Sequence, residues 1–186
     1  MTNYEIEYQK NRNICGKPST EIIGFFKHYT KECAAVLDLG CGQGRDTLFI
    51  AGKGHTVLGV DTSQTGISQM LEDADSENLS VEGIVADVLD FEPNAEYDVV
   101  VIDRVLHMLA NDDERKFVLV KSVNAVCSNG FMLIVDTVKN HALICKFFTS
   151  VVEGWEITKN ENGFVFAHKT GGGRHECKNL GRQADC

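Results

Sequence analysis

Apolar residues in this chain fall into short runs separated by longer amphipathic stretches, and that alternation sets the expected elements. Residues 34–39 are rich in branched side chains and end at Gly40, as a buried strand meeting a tight turn does. Residues 46–53 carry Leu48, Phe49 and Ala51 ahead of Gly52 and Gly54, which predicts a short helix with a glycine stop. Residues 56–61 predict a second strand, and Ser63 the cap of a helix running to Ala74. A third strand is expected over 79–86. Residues 97–103, nearly all apolar, read as a central strand covered on both faces. Asn111 or Asp112 caps a helix expected over 113–127 that stops at Asn129-Gly130, and 131–136 forms the fifth strand. Between Asp136 and Trp155 there is room for one helix. Residues 155–161 and 164–169 flank Asn162-Gly163, a dipeptide suited to the positive φ angles of a hairpin turn, so the sheet should end in an antiparallel pair.

Strands separated by helices of this length imply parallel pairing with right-handed crossovers, hence an open, doubly wound α/β sheet. The chain of 186 residues is long enough for one domain with a sizeable core. Its organisation reads as an N-terminal lid or edge-helix segment over 1–33, a ligand-binding domain over 34–170 and a mobile glycine-rich tail over 171–186. Tyr4 and Tyr8 lie in the first segment, with Gly16 and Pro18 as its hinge; a lid and a helix packed on the sheet edge are both open readings.

Composition narrows the classes of function. An apolar fraction of 43% with 24% charged residues is ordinary globular usage, and no apolar run approaches the ~20 residues of a membrane span. The first residues lack a secretory signal, so a cytoplasmic location is expected. Seven scattered cysteines then read as reduced thiols. A net charge of -9 disfavours a nucleic-acid partner, whose affinity would need clustered Lys and Arg. A small-molecule substrate is the expected partner, and any self-association is expected to be a homodimer. No metal is expected, since His168, His175, Cys177 and Cys186 match no closed zinc spacing.

The chemistry begins where the first strand turns into the first helix, at Asp38-Leu39-Gly40-Cys41-Gly42-Gln43-Gly44. Alternating glycines let the backbone approach a ligand and offer N–H groups beside a helix N-terminus, where a ligand carboxylate can bind. A dinucleotide fingerprint requires a further glycine three residues after the second, and Arg45 stands there instead. Asp61 ends the second strand at the separation from which a carboxylate reaches ribose hydroxyls in such folds.

Residues 38–44 resemble motif I of the class I S-adenosylmethionine-dependent methyltransferases, and Asp61, Ala86-Asp87-Val88 and Tyr97-Asp98-Val99-Val100 fall in register with that family's later motifs. The local likeness of 42–48 and 54–57 is to small methyltransferases of the tellurite-resistance and thiol type. The resemblance implies a Rossmann-like, mostly parallel seven-stranded sheet of order 3-2-1-4-5-7-6 with an antiparallel last strand. It also implies S-adenosyl-L-methionine as cofactor. Gly40, Cys41 and Gly42 would line the methionine part, with Asp38 orienting its amino group. Asp61 would accept the ribose hydroxyls, Thr62 and Ser63 would approach the adenosine, and Asp87 and Val88 would meet the adenine. Asp103 and Arg104 would face the methionine end and the substrate.

Methyl transfer from a sulfonium needs position and, for a protonated acceptor, a base. His107, one turn past Asp103, is the candidate base; a packed or capping histidine is the competing reading. Cys145, Phe147, Phe148 and Trp155 either line a small pocket or fill the core. The expected activity is methyl transfer to a small, thiol-like or metalloid nucleophile. A non-catalytic cofactor-binding partner subunit and a protein or RNA methyltransferase are the alternatives.

Overall fold

In the computed structural model, which describes residues 4–171, the most apolar runs become the most enclosed strands. Strand β4 (Tyr97–Asp103) is buried at every position, and β1 (Ala35–Leu39) at all but its first. Strand β2 (Thr56–Asp61) is mostly enclosed, whereas β3 (Val81–Val85) and β6 (Trp155–Glu161) alternate with solvent. The sheet order explains this gradient: β3-β2-β1-β4-β5-β7-β6, with β5 spanning Val126–Val135 and β7 Phe164–Lys169. Enclosed strands lie inside the order and the two exposed ones at its ends. Strands β1, β2 and β3 pair in parallel, as do β4 and β5, and β7 runs antiparallel to both β5 and β6.

The chain divides after Phe91 into two compact units. The first holds helices α1 (Tyr4–Lys10) and α2 (Thr20–His28), then β1, α3 (Arg45–Ala51), β2, α4 (Gln64–Ser76) and β3. Its helices start where side chains can take up the orphan amides of the first turn. The Ser19 hydroxyl accepts from Ile22 N–H, and the Ser63 hydroxyl accepts from Gly66 N–H. Fully enclosed Leu37, Ile50 and Met70 fill its core, each burial contributing about 1.5–3 kcal/mol.

The second unit holds β4, a 3₁₀ turn at Leu106–Met108, α5 (Asp112–Asn124), β5, α6 (Val138–Ser150), β6 and β7. Asn111 caps α5 by accepting from the N–H groups of Asp113 and Glu114, and the Glu114 carboxylate accepts Ala110 N–H, one residue ahead of the cap. Phe147 and Phe148 are buried, and the Phe148 ring lies 5.4 Å from Trp155, so these aromatics fill the core.

Three expectations change. Helix α5 ends at Asn124, and Asn129-Gly130 lies inside β5 rather than stopping a helix. Tyr97 pairs with Val126 and Val99 with Phe131, so four residues of β5 bulge opposite Asp98 alone. Asn129 takes φ 63, and a Cβ at Gly130 would collide with the Asp98 carbonyl and the Val126 side chain, so the dipeptide serves the bulge with the same backbone freedom that suits a helix stop. The cysteines are not uniformly reduced: Cys15, Cys41 and Cys145 are free thiols, while Cys33 in the first unit and Cys127 in the second each take part in a disulfide. The third strand is shorter than expected, Val81–Val85. His168 stacks on Phe131 at 4.6 Å, whereas His175, Cys177, Cys186 and the tail beyond Gly171 lie outside the described residues.

Candidate functional site

The turn after β1 is built from left-handed glycines, Gly40 at φ 76, Gly42 at φ 55 and Gly44 at φ 84. Gly44 forms the N-cap of α3, and a Cβ there would run into Met70 and Leu48, so a side chain is excluded by both conformation and packing. Four of the five amides of this turn, those of Gly40, Cys41, Gly42 and Gly44, are already engaged within the first unit. Gly40 and Cys41 N–H donate to the Val60 carbonyl, Gly42 N–H to Asp61 Oδ2 at 2.9 Å, and Gly44 N–H to the Cys41 carbonyl. The turn therefore offers chiefly acceptors.

Carboxylates surround it. Asp38 is 2% exposed and accepts from the Thr47 hydroxyl at 2.6 Å. Asp61 accepts Gly42 N–H on one oxygen and Ser63 N–H, at 2.8 Å, on the other, which leaves lone pairs on both. Burial pushes the Asp61 carboxyl above its ordinary value and the nearby charge of Glu5 pushes it the same way, while the backbone N–H bonds oppose them. Burial, then the charges of Asp38 and Asp61, push the Cys41 thiol well up, so it stays neutral and serves packing with Ile67 and Met70. In α3, Asp46 Oδ2 pairs with Arg45 at 2.6 Å, while its buried Oδ1 has no hydrogen-bond partner among the described residues.

Helix α1 lies over this turn and is fastened there as a strap. Glu5 accepts from the Ser63 hydroxyl, from Thr65 N–H at 3.1 Å and from the Thr65 hydroxyl, and these bonds bring its carboxyl down to about 2. The carboxylate thus sits at the N-terminus of α4, where the helix dipole favours negative charge. Tyr8 is buried, and a Cβ at Gly42 would collide with its hydroxyl. Gln43, 4% exposed between two glycines, ties the strap down: its Nε2 donates to the Asn11 carbonyl and to Gln69 Oε1, and its Oε1 accepts Ile14 N–H. Arg12 adds contacts to Glu72 at 2.9 Å and Asp73 at 2.7 Å.

The remaining expected cofactor residues are less engaged. Thr62 is exposed; Asp87 is exposed and accepts Leu89 N–H within a turn, while Val88 beside it is buried. In the second unit, Asp103, Arg104 and His107 cluster at the carboxyl end of β4. Asp103 is buried, and Arg104 takes the left-handed φ 58 with its side chain 72% exposed and its Nε 3.8 Å from Asp103 Oδ1. His107 sits in the 3₁₀ turn, its ring 31% exposed. Its main-chain N–H donates to Asp136 Oδ2 at 3.1 Å.

Three contributors escaped sequence reading: Glu5 and Gln43 in the first unit and Asp136 in the second. For Asp136 a signal existed, an acidic residue ending an apolar strand as Asp61 and Asp103 do. Gln43 carried none beyond its place between the glycines, because its partners at positions 11, 14 and 69 are set by tertiary structure.

Acceptors on the turn and a group of buried carboxylates fit a ligand that carries positive charge and hydroxyl donors. S-adenosylmethionine has both, in its sulfonium, its ammonium and its ribose, so the residues present fit it.

The comparisons with known proteins agree. A family model described as a methyltransferase domain matches residues 36–130. A probable S-adenosyl-L-methionine-dependent methyltransferase TehB of Haemophilus influenzae is 26% identical over 73% of this chain and 50% of its own length. The ribosomal protein L11 methyltransferase of Campylobacter fetus is 28% identical over 77% of this chain and 50% of its own length. The chain spans about half the length of these curated relatives. Among solved structures, a TehB-like S-adenosylmethionine-dependent methyltransferase from Corynebacterium glutamicum superposes with TM-score 0.70 at 21% identity, covering 90% of this chain and 98% of that one. The N-methyltransferase NodS of Bradyrhizobium japonicum, solved with S-adenosyl-L-homocysteine, shares the fold at TM-score 0.70 and 12% identity over 90% and 99%. The sheet order, the glycine turn with its paired aspartate and the matched family model together make this chain a member of the class I S-adenosylmethionine-dependent methyltransferases.

Proposed function

We propose that the chain transfers a methyl group from S-adenosylmethionine to a small nucleophile of the thiol or metalloid kind. The observation that carries the reading is the bonding of Asp61 to Gly42 N–H and Ser63 N–H, which joins the glycine turn, the end of β2 and the start of α4 in one acceptor site. When bound, the cofactor supplies a methyl group already activated by its sulfonium.

The residues then have separate tasks. Asp61 accepts the ribose hydroxyls with its remaining lone pairs, and Asp38 accepts from the ammonium. The strap formed by α1 excludes water from the glycine turn through Tyr8. At the carboxyl end of β4, Arg104 presents a cation for the acceptor and His107 a base. A single 13-residue helix, α6, follows β5, and no inserted cap stands among the described residues between Asp136 and Trp155, which favours a small acceptor. The likeness to TehB proteins supports the same choice, although other relatives are named as a ribosomal protein L11 methyltransferase, a cypemycin N-terminal methyltransferase and a ubiquinone biosynthesis O-methyltransferase.

A screen of small thiols, metalloid oxyanions and amines for formation of demethylated cofactor tests the reading. A thiol or metalloid acceptor is expected to turn over, and with an acceptor that arrives protonated, such as a thiol, His107→Ala is expected to lower turnover by about 10²–10⁴. Cofactor binding with no turnover on any acceptor would instead support a non-catalytic subunit, and full turnover by the variant would remove His107 from the chemistry.

A further inference from the structure

Asp136, the residue that follows β5, is bound more completely than a strand end requires. Its side chain is fully enclosed. Oδ1 accepts from Thr137 N–H at 2.7 Å, from Asn140 Nδ2 at 2.7 Å and from the Thr137 hydroxyl at 3.3 Å. Oδ2 accepts the main-chain N–H of His107 at 3.1 Å and stands 3.6 Å from His107 Nδ1. Among the described residues, His107 is the one group able to carry positive charge within 4.0 Å of this carboxylate. The main chain of Asp136 is held as well. Its N–H donates to the Gly163 carbonyl at 2.8 Å, and a Cβ at Gly163 would strike the Asp136 carbonyl oxygen. The hairpin turn at Asn162-Gly163 thus backs the residue that backs His107.

We propose that Asp136 is the positioning residue for His107, holding the imidazole in the tautomer with the proton on Nδ1 so that Nε2 takes the proton of the methyl acceptor. This rests on the reading of His107 as base given above. An Nδ1 lone pair would face a buried carboxylate oxygen across 3.6 Å, two acceptors with no hydrogen between them. With the proton on Nδ1 the same pair attracts, and closing by about 0.6 Å gives a hydrogen bond, a tightening common between ligand-free and reacting states. Nε2 then carries the lone pair. The acceptor's proton moves to Nε2, the acceptor's electron pair forms the new bond to the methyl carbon as the carbon–sulfur bond breaks with its pair left on the departing thioether sulfur, and the ring becomes a cation facing the Asp136 charge. Such a device serves an acceptor that arrives protonated, a thiol or hydroxyl, and does nothing for a preformed oxyanion.

Two other histidines provide an internal contrast. His55 Nδ1 accepts Ala34 N–H at 3.2 Å and His141 Nδ1 accepts Gly163 N–H at 3.3 Å, so both carry their proton on Nε2. His107 is therefore expected to show the opposite tautomer. Long-range proton–nitrogen correlation NMR on the full chain labelled at histidine, above the pH of ring titration, reads this directly, with His107→Gln assigning the signals. The expected wild-type spectrum has a protonated Nδ1 and a lone-pair Nε2 at His107, with the reverse at His55 and His141. In Asp136→Asn, an amide oxygen kept on the Thr137 and Asn140 donors turns its NH₂ toward the ring and gives up the bond from His107 N–H, and among the histidines His107 alone should switch tautomer. With a protonated acceptor from the screen, kcat in that variant should fall about 10²-fold with KM little changed. A wild-type His107 protonated on Nε2 overturns the proposal, and so does an unchanged tautomer in a folded Asp136→Asn protein. Should that variant not fold, the wild-type spectrum still decides. The tautomer needs no substrate, so failure of every acceptor would sink the methyl-transfer reading while leaving this test standing.

Discussion

Asp61 does two jobs at once. Its oxygens hold Gly42 N–H and Ser63 N–H in place, and their remaining lone pairs are the ones that cofactor hydroxyls would use. Hydrogen bonds to a charged group contribute about 1.5–3 kcal/mol each, so Asp61→Ala should weaken cofactor binding at least about 10-fold by titration calorimetry. Only the ionised carboxylate accepts on both oxygens. Because burial raises its pKa, cofactor affinity should start to fall at a pH above that of an ordinary carboxylate, and calorimetry across an acid series checks the direction. A profile without any acid loss would show that Asp61 does not hold the ligand. Gly42→Ala would put a methyl group into the Tyr8 hydroxyl and strain a left-handed residue, and it is expected to lift Tyr8 from the turn.

The strap over the first unit is the element whose behaviour follows most directly from its bonds. Glu5 is held well below its ordinary value of 4.5, to about 2, so its contribution to strap docking is complete above the ordinary value and is lost as pH falls from there towards 2. Limited proteolysis before Ser19 should therefore accelerate across that window, and Glu5→Gln should cleave faster at neutral pH. Gln43→Ala leaves Ile14 N–H and the Asn11 carbonyl without a partner, at a cost of about 1–3 kcal/mol, and should expose the same segment. No change in cleavage would assign Gln43 to the turn alone. The β-strands were legible in the sequence because their apolar runs are bounded by glycines and aspartates; β2, β4, β6 and β7 have the bounds that pattern predicts. The bulge in β5 was not, since Asn129-Gly130 has the same left-handed preference whether it ends a helix or opens a strand. Of the site, the glycine turn and Asp61 were legible from local spacing. The strap's anchoring and the His107–Asp136 contact were not, because they join residues 29 to 61 positions apart through tertiary structure.

For the whole molecule, cofactor binding is linked to folding. A ligand that binds only the native state stabilises it by about 2.7 kcal/mol at 100 times its Kd, so melting should shift upward on adding S-adenosylmethionine. Asp61→Ala should lose most of that shift at the same ligand concentration. Among the described residues, no helix is long and apolar enough to cross a membrane. The central claim, that this chain holds S-adenosylmethionine through the glycine turn and Asp61, is tested most directly by calorimetric titration of the wild-type chain with S-adenosylmethionine and with S-adenosylhomocysteine. Saturable one-site binding of both, weakened in Asp61→Ala, is the predicted result; absence of binding by either ligand to the folded wild-type chain would contradict it.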